Sequence, residues 1–450
     1  AVHGYGHMAL LKEPLLPLKE VGPAYERLHD APELTKRLSE APQRERRLVQ
    51  LTFLLLGAAS SVTLSTVCLA AAYFKDSLGA GVVSQFITAH TSVLIIVMLT
   101  ILVAAGPYKT RLPTTAQLLT LATLFGVLFN GFVLASVFAG QPPSAGVLFP
   151  LVALNGGASG LIQSLSPRLG GDLPTTMSTA VGSLQLVGVS LAQWLPCLVQ
   201  AALLPMAVQP GMAHTTVGLA AKVSLGAAGT ICLAALVSLR LLLKECHATV
   251  AAVASGPQLG MTIGEAISSE AGRKFVWSNR VVWLAPICIL TFTAEAAITF
   301  LVVVSPKLPV SAASTFWQTY QVTLLLTSTN TFAFFGRSAG LSTSGEQRVN
   351  GRVLWWWSLT PLAALLIYAC WKDFIPANTT VLFVLYSLTA LANGFALVLF
   401  NKTAQATLEP HGSGAPHAVN YKPCPIAAQL IWLSIQTGAF TMSLVGNFLH

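Results

Sequence analysis

The alternation of polar and apolar positions changes character once along the chain. Residues 1–48 mix the two kinds, with eight basic and seven acidic residues. From residue 49 onward, apolar runs recur that are each about 20 residues or longer, enough for one helix to cross the hydrocarbon core of a bilayer. They fall at 49–74, 81–106, 114–140, 147–167, 173–198, 214–243, 281–304, 315–336, 353–370, 380–400 and 424–448. The pattern predicts eleven helices, six before a polar segment at 244–280 and five after it. That segment carries Gly256, Pro257 and Gly260 and no spanning run. The chain therefore divides into a polar extension (1–48), a six-helix bundle (49–243), a linker (244–280) and a five-helix bundle (281–450). Within the extension, a helix is predicted around 32–48 with an interruption at Pro42.

Composition turns these runs into a class. Hydrophobic residues make up 54% of the chain and charged residues 9%, against about 25% charged in a typical soluble domain. The mean hydropathy is +0.68. So few charges cannot cover a water-facing globule, which excludes most soluble enzymes and nucleic-acid binders and leaves an all-α polytopic membrane protein. The net charge of +9 is then a matter of topology and not of DNA binding. With eleven spans and the N-terminus inside, 21 Lys and Arg fall in inside segments and 3 in outside loops. That asymmetry predicts an N-in, C-out orientation. Trp277, Trp283, Trp317, Trp355, Trp356, Trp357 and Trp371 fall near predicted helix ends, where an amphipathic ring prefers the interface. "Inside" is the cytosol for a plasma-membrane protein and the matrix for one of the mitochondrial inner membrane, and both stay open. The sequon Asn378-Thr379-Thr380 falls in an outside loop.

The extension fits neither a cleavable signal peptide nor an organellar transit peptide, having no apolar centre and many acids. It is expected either to dock on a protein partner or to be a solvated tail. The chain opens with Ala1 rather than Met, so residues upstream of it are expected.

Candidate chemistry sits in polar groups inside the spans, because lipid solvates them badly. The fourth run contains Asn155, Ser159 and Gln163 on related faces, with Gly156 and Gly160 four apart for close helix contact. The Gln163 amide offers a donor and an acceptor, suiting either a base edge or another helix. In the eighth run Asn330 and Arg337 are seven apart and share a face; Arg337 is expected either to snorkel as an anchor at the inner end, which its position favours, or to point into a cavity. Glu295 in the seventh run and Lys222 in the sixth are a candidate coupling or buried ion pair. His90 in the second run is a further polar group whose usual role is packing. The seven cysteines have no metal-site or disulfide spacing. No HExxH, GxSxG or Walker motif occurs, so no catalytic residue, cofactor or metal is expected.

The six-plus-five layout and several motifs together resemble the equilibrative nucleoside transporter family. That family's Asn…Gly…Gln pattern and Pro-x-x-(Thr/Ser)-x…Gly stretch are echoed by Asn155, Gln163, Pro174, Ser178, Gly182 and Gly188. Its eighth-helix Asn-x-x-Asp-x-x-Gly-Arg is similar to Asn330 through Arg337, with Ala333 where the Asp stands. Its Ser-Asn-Gly is similar to Ala392-Asn393-Gly394. In the first helix its Pro-Trp-Asn is met by Thr63, Leu64 and Ser65. The resemblance implies a major-facilitator-like fold with one helix fewer, and a central site for a nucleoside or nucleobase lined by Gln163, Asn330, Arg337, Leu64, Ser65 and Asn393. It further implies alternating access without covalent chemistry, with no nucleic acid as partner. The missing aromatic ring and Asp keep a second reading open, a non-transporting structural subunit of a larger membrane complex. A third is a carrier of another solute, proton-coupled through Glu295.

Overall fold

The computed structural model describes residues 43–70, 82–104, 115–141, 143–171, 181–207, 213–245, 284–305, 308, 315–343, 351–376, 378–408 and 424–448. All regular structure in them is helical. The helices are α1 (Gln43–Leu69), α2 (Val82–Ala104), α3 (Thr115–Phe138), α4 (Ala145–Gly171), α5 (Val181–Ala207), α6 (Ala213–Glu245), α7 (Leu284–Val304), α8 (Thr315–Leu341), α9 (Gly351–Trp371), α10 (Thr379–Leu408) and α11 (Cys424–Phe448). Ten of these are long and apolar enough to cross a membrane; α8 is the exception. It is as long as the others but dilutes its apolar residues with the Thr327-Ser328-Thr329-Asn330-Thr331 run. The protein is an integral, multi-pass membrane protein. Leu128, Ile289, Leu365 and Trp355 are exposed on outer faces, as expected where hydrocarbon is the solvent.

Each apolar run coincides with one helix. α1 starts inside the predicted polar extension, at Gln43, and takes Arg44, Glu45, Arg46 and Arg47 into its first turns. The helix expected after Pro42 is present, and it runs on into the first span without a break. Residues 1–42 lie outside the described residues, as does most of the linker and the Pro174–Thr179 stretch of the fifth run. α5 accordingly begins at Val181.

The packing is selective. Among the first six helices, α1 lies against α5 and α6, α2 against α4, and α3 against α6 and α4. Among the last five, α8 lies against α10, α7 against α11, and α9 against α10 and α7. The two groups meet chiefly through α5 on α8 and α2 on α11, with smaller contacts of α4 on α11 and α5 on α10. We refer to this boundary as the seam. Gly156 and Gly160 make the expected close contact: a Cβ at Gly156 would overlap the His90 carbonyl, and one at Gly160 would lie 2.8 Å from the Leu94 carbonyl. They draw α4 onto α2 and carry the neighbouring amides inside.

α10 opens on Asn378, whose Oδ1 accepts from the Thr380 amide at 2.8 Å. This is an N-terminal cap. Asn378→Ala is expected to cost about 1 kcal/mol and to raise hydrogen exchange in the first turn of α10 without unfolding the bundle. The Asn378 sequon residue thus has a structural use of its own.

Candidate functional site

Gln163 is 2% exposed and lies where α4 meets α1 and α11. Its Nε2 donates to Ser60 Oγ at 3.5 Å, and its Oε1 accepts from Gln436 Nε2 at 3.2 Å. Gln436 belongs to α11, so this amide pair bridges the seam. Two turns earlier in α11, Gln429 Nε2 donates to the Ser164 carbonyl at 2.7 Å, a second bridge between the same helices. Pro167 lies in this part of α4 and lacks the N–H that would otherwise meet the Gln163 carbonyl.

Arg337 lies near the end of α8 and is 5% exposed. It is no snorkelling anchor. Its Nη1 donates to the Leu186 carbonyl of α5 at 3.1 Å, across the seam. The carboxylate facing it is Glu295 of α7, which also accepts a hydrogen bond from the Asn393 side chain of α10. Two glycines bring the partners together. A Cβ at Gly394 would lie 2.5 Å from the Ala333 carbonyl and 3.0 Å from the Arg337 amide, and one at Gly336 would overlap the Leu391 carbonyl. The α8 and α10 backbones therefore touch, and the polar residue beside each glycine, Arg337 or Asn393, enters the interior. Glu295 supplies the negative charge that position 333 lacks.

These positions correct one expectation. Glu295 does not pair with Lys222. The Lys222 ammonium sits 4.9 Å from the centroid of the Phe138 ring, on α6 against the end of α3, where the ring face offers a cation–π contact. Helix depth along the sequence suggested a pair, but the two helices belong to opposite groups.

The other candidates divide. Asn330 donates from Nδ2 to Cys197 Sγ at 3.0 Å, which puts it on the α5–α8 part of the seam, two turns from Arg337. Leu64 instead packs in an apolar cluster with Val67, Phe86, Phe129 and Val133, within the first six helices. Ser65 Oγ donates back to the Ser61 carbonyl of its own helix at 3.0 Å. The structure thus brings Gln163, Asn330, Arg337 and Asn393 to the seam or directly behind it, and does not bring Leu64 or Ser65 into their contacts. His90 Nε2 meets Ser159 Oγ at 3.2 Å between α2 and α4, a packing contact.

Sequence reasoning missed Trp194. It stands midway along α5, and its Nε1 donates to Thr331 Oγ1 at 3.0 Å. Its ring stacks on Phe334 of α8, with centroids 4.8 Å apart and planes within 8°. The fifth run as read from the sequence ends at 198 and puts Trp194 near its end, so its place midway along α5 gave no signal there. Truncating Trp194 and Phe334 singly and together is expected to reveal a coupling of about 1 kcal/mol beyond lost area, measured by a double-mutant cycle on unfolding.

Bridges cross the seam along its depth. Arg337 to Leu186, Asn401 Nδ2 to Ser183 Oγ at 3.4 Å and Gln429 to Ser164 lie toward the end where α4, α8 and α10 finish and α5 and α11 begin, while Gln436 to Gln163, Trp194 to Thr331, Asn330 to Cys197 and Thr327 Oγ1 to the Cys197 carbonyl at 3.4 Å cross it nearer the middle. Toward the opposite end, Thr88 Oγ1 donates to Ser443 Oγ at 3.1 Å between α2 and α11.

No family model matches this chain, and no curated protein matches it in sequence. Solved structures do match in shape. The major facilitator superfamily proton:xylose symporter XylE, bound to 6-bromo-6-deoxy-D-glucose, aligns with a TM-score of 0.51 at 13% identity, covering 90% of this chain and 89% of that one. The Escherichia coli fucose:proton symporter FucP gives 0.50 at 11% identity, over 91% and 92%. A peptide transporter, POT, gives 0.50 at 16% identity, over 89% and 88%. At such identities the likeness is one of fold: this chain is folded like a major facilitator protein.

Proposed function

We propose that this protein is an alternating-access carrier for a small polar solute of the nucleoside or nucleobase class. In this reading the six helices α1–α6 and the five helices α7–α11 form two bundles, with the N-terminus inside and the C-terminus outside. One observation carries it: two buried polar side chains, Gln163 and Arg337, are each bonded across the seam, to Gln436 and to the Leu186 carbonyl. Contacts of this kind can be exchanged for contacts to a solute when the bundles part, so the polar groups are never left unpaired in hydrocarbon. An amide offers a base edge a donor and an acceptor. A guanidinium and the Asn330 amide suit sugar hydroxyls. Trp194 supplies at α5 the aromatic ring that Leu64 does not supply at α1. The fold shared with sugar and peptide transporters supports rocking of one bundle against the other.

A second reading, a non-transporting subunit of a larger membrane complex, is favoured by one observation: both ends of the Gln163 amide are occupied by protein partners. Thermal unfolding of the purified protein against panels of nucleosides, nucleobases, hexoses and dipeptides separates the two. A solute bound by the folded state alone adds about 2.7 kcal/mol at a hundredfold excess over its Kd. The carrier reading expects stabilisation by nucleosides or nucleobases that Gln163→Ala weakens. Stabilisation by hexoses or dipeptides alone would reassign the solute, and a flat response to all four panels would favour the subunit.

A further inference from the structure

The cluster behind Arg337 has more buried polar capacity than it uses. Glu295 Oε2, Asn393 Oδ1 and Arg337 Nε are all buried without a hydrogen-bond partner. They come from three helices, α7, α10 and α8. Gly438 of α11 closes the fourth side, where an added Cβ would lie 3.4 Å from Glu295 Cβ. Buried polar atoms are normally paired, so three orphans at one place mark a site that is satisfied in some other state. An unpartnered carboxylate oxygen is satisfied by a proton, which turns it from an acceptor into a donor. Asn393 Oδ1, an orphan acceptor of the same cluster, is suited to receive that new O–H.

We propose that Glu295 is a proton-binding site, and that its occupancy decides whether Arg337 ties α8 to α5 at the inner end of the seam. The inference rests on the rocking of the bundles proposed above but not on the identity of the solute. With Glu295 ionised, the guanidinium has its counter-charge in α7 and its acceptor, the Leu186 carbonyl, in α5, and so ties the two groups of helices together. A proton passed from hydronium to Oε2 forms one O–H bond as one O–H bond of hydronium breaks, leaving water. It leaves Arg337 as a buried cation with no opposing charge, a state that low-dielectric surroundings penalise heavily. The relief available is water, admitted by parting α5 from α8. Acidification therefore parts α5 from α8 at this end.

The charges around Glu295 leave it little other choice of partner. α7 packs on α9, α10 and α11. On α10, Tyr386 donates its hydroxyl to the Leu301 carbonyl, and Lys402 Nζ is spent on the carbonyls of Gly340, Leu341 and Thr343. On α9, Arg352 lies in the exposed first turn, while Tyr368 stacks edge-on against Trp371 near the opposite end. α11 contributes no Asp, Glu, Lys, Arg or His. On α8, Arg337 is the single charge.

The test is pulsed electron spin resonance on the full chain reconstituted in lipid. Spin labels are placed at Lys244→Cys and Leu354→Cys, both exposed at this end, in a background whose native cysteines are replaced. Lowering the pH is expected to raise the ratio of the long-distance to the short-distance population by about tenfold. Glu295→Gln should show the long population at every pH, and Glu295→Asp, which keeps a titratable group, should keep the response. Two populations whose ratio ignores pH, or a Glu295→Gln variant that still responds, would overturn the proton site and leave the rocking intact. A single distance at every pH in all three proteins would overturn both. If Glu295→Gln fails to fold, the infrared difference spectrum of the labelled parent and Glu295→Asp decides: a carboxylic C=O band must appear on acidification and shift in position between the two.

Discussion

Arg337→Ala is expected to bring solute flux to the level of empty liposomes and to lower stability by about 3 kcal/mol, because removing one partner strands the other charge in the interior. The loss has two parts: the bridge to the Leu186 carbonyl disappears, and Glu295 loses the cation that faces it. The second part can be isolated. The double variant Arg337→Ala/Glu295→Gln, which strands no charge, should recover most of the stability lost in the single one, though not the flux. Thermal unfolding of the four proteins of this cycle gives the coupling directly. Arg337→Lys should keep part of the stability, since an ammonium still opposes the Glu295 charge, but not the flux, since it lacks the planar fork of the guanidinium. Equal unfolding temperatures for Arg337→Ala and its double variant would mean that the two charges do not sense each other.

Gly188→Val is expected to prevent the protein from accumulating as a monodisperse species. A Cβ at position 188 would overlap the Leu54 carbonyl of α1, and one at Gly57 would overlap the Gln185 carbonyl of α5. The two glycines thus set the separation of α1 and α5, and neither obstructing atom can move without its helix. Overpacking of this kind costs about 3 kcal/mol or more. Gly131 and Gly226 are the controls, since an added Cβ at either meets nothing within 4 Å. Alanine at those positions should be neutral or should stabilise by up to about 1 kcal/mol, the helix propensity that glycine forgoes. Size-exclusion profiles after extraction read all three variants.

The spans were legible because a membrane helix declares itself by length and hydrophobicity, two properties that need no tertiary information. α8 shows the margin of that rule: its polar centre takes it below the apolar threshold for a span, yet the same threonines and Asn330 are what the seam uses. Within the site, legibility followed the glycines. Gly336-Arg337 and Asn393-Gly394 are each a glycine beside a polar residue, and the glycine that permits backbone contact also decides that its neighbour turns inward. Gln163 was legible on the same ground, three residues from Gly160. Partnership was not legible. Nothing local distinguishes Arg337 from Lys222 as the cation for Glu295, because the choice depends on which helices share a group. Leu64 and Ser65 were placed at the site by a motif whose chemistry had already changed, and their contacts run within the first six helices instead. Trp194 was hidden for the opposite reason: its chemistry is suited to the seam, but no motif points to it.

Uptake of labelled nucleosides and nucleobases into proteoliposomes containing the purified full chain tests the central claim most directly. The wild-type protein is expected to carry at least one of these solutes faster than empty liposomes, with Gln163→Ala slowed and Arg337→Ala at background. Wild-type flux equal to that of empty liposomes for every purine and pyrimidine offered, on either side of neutral pH, would contradict it.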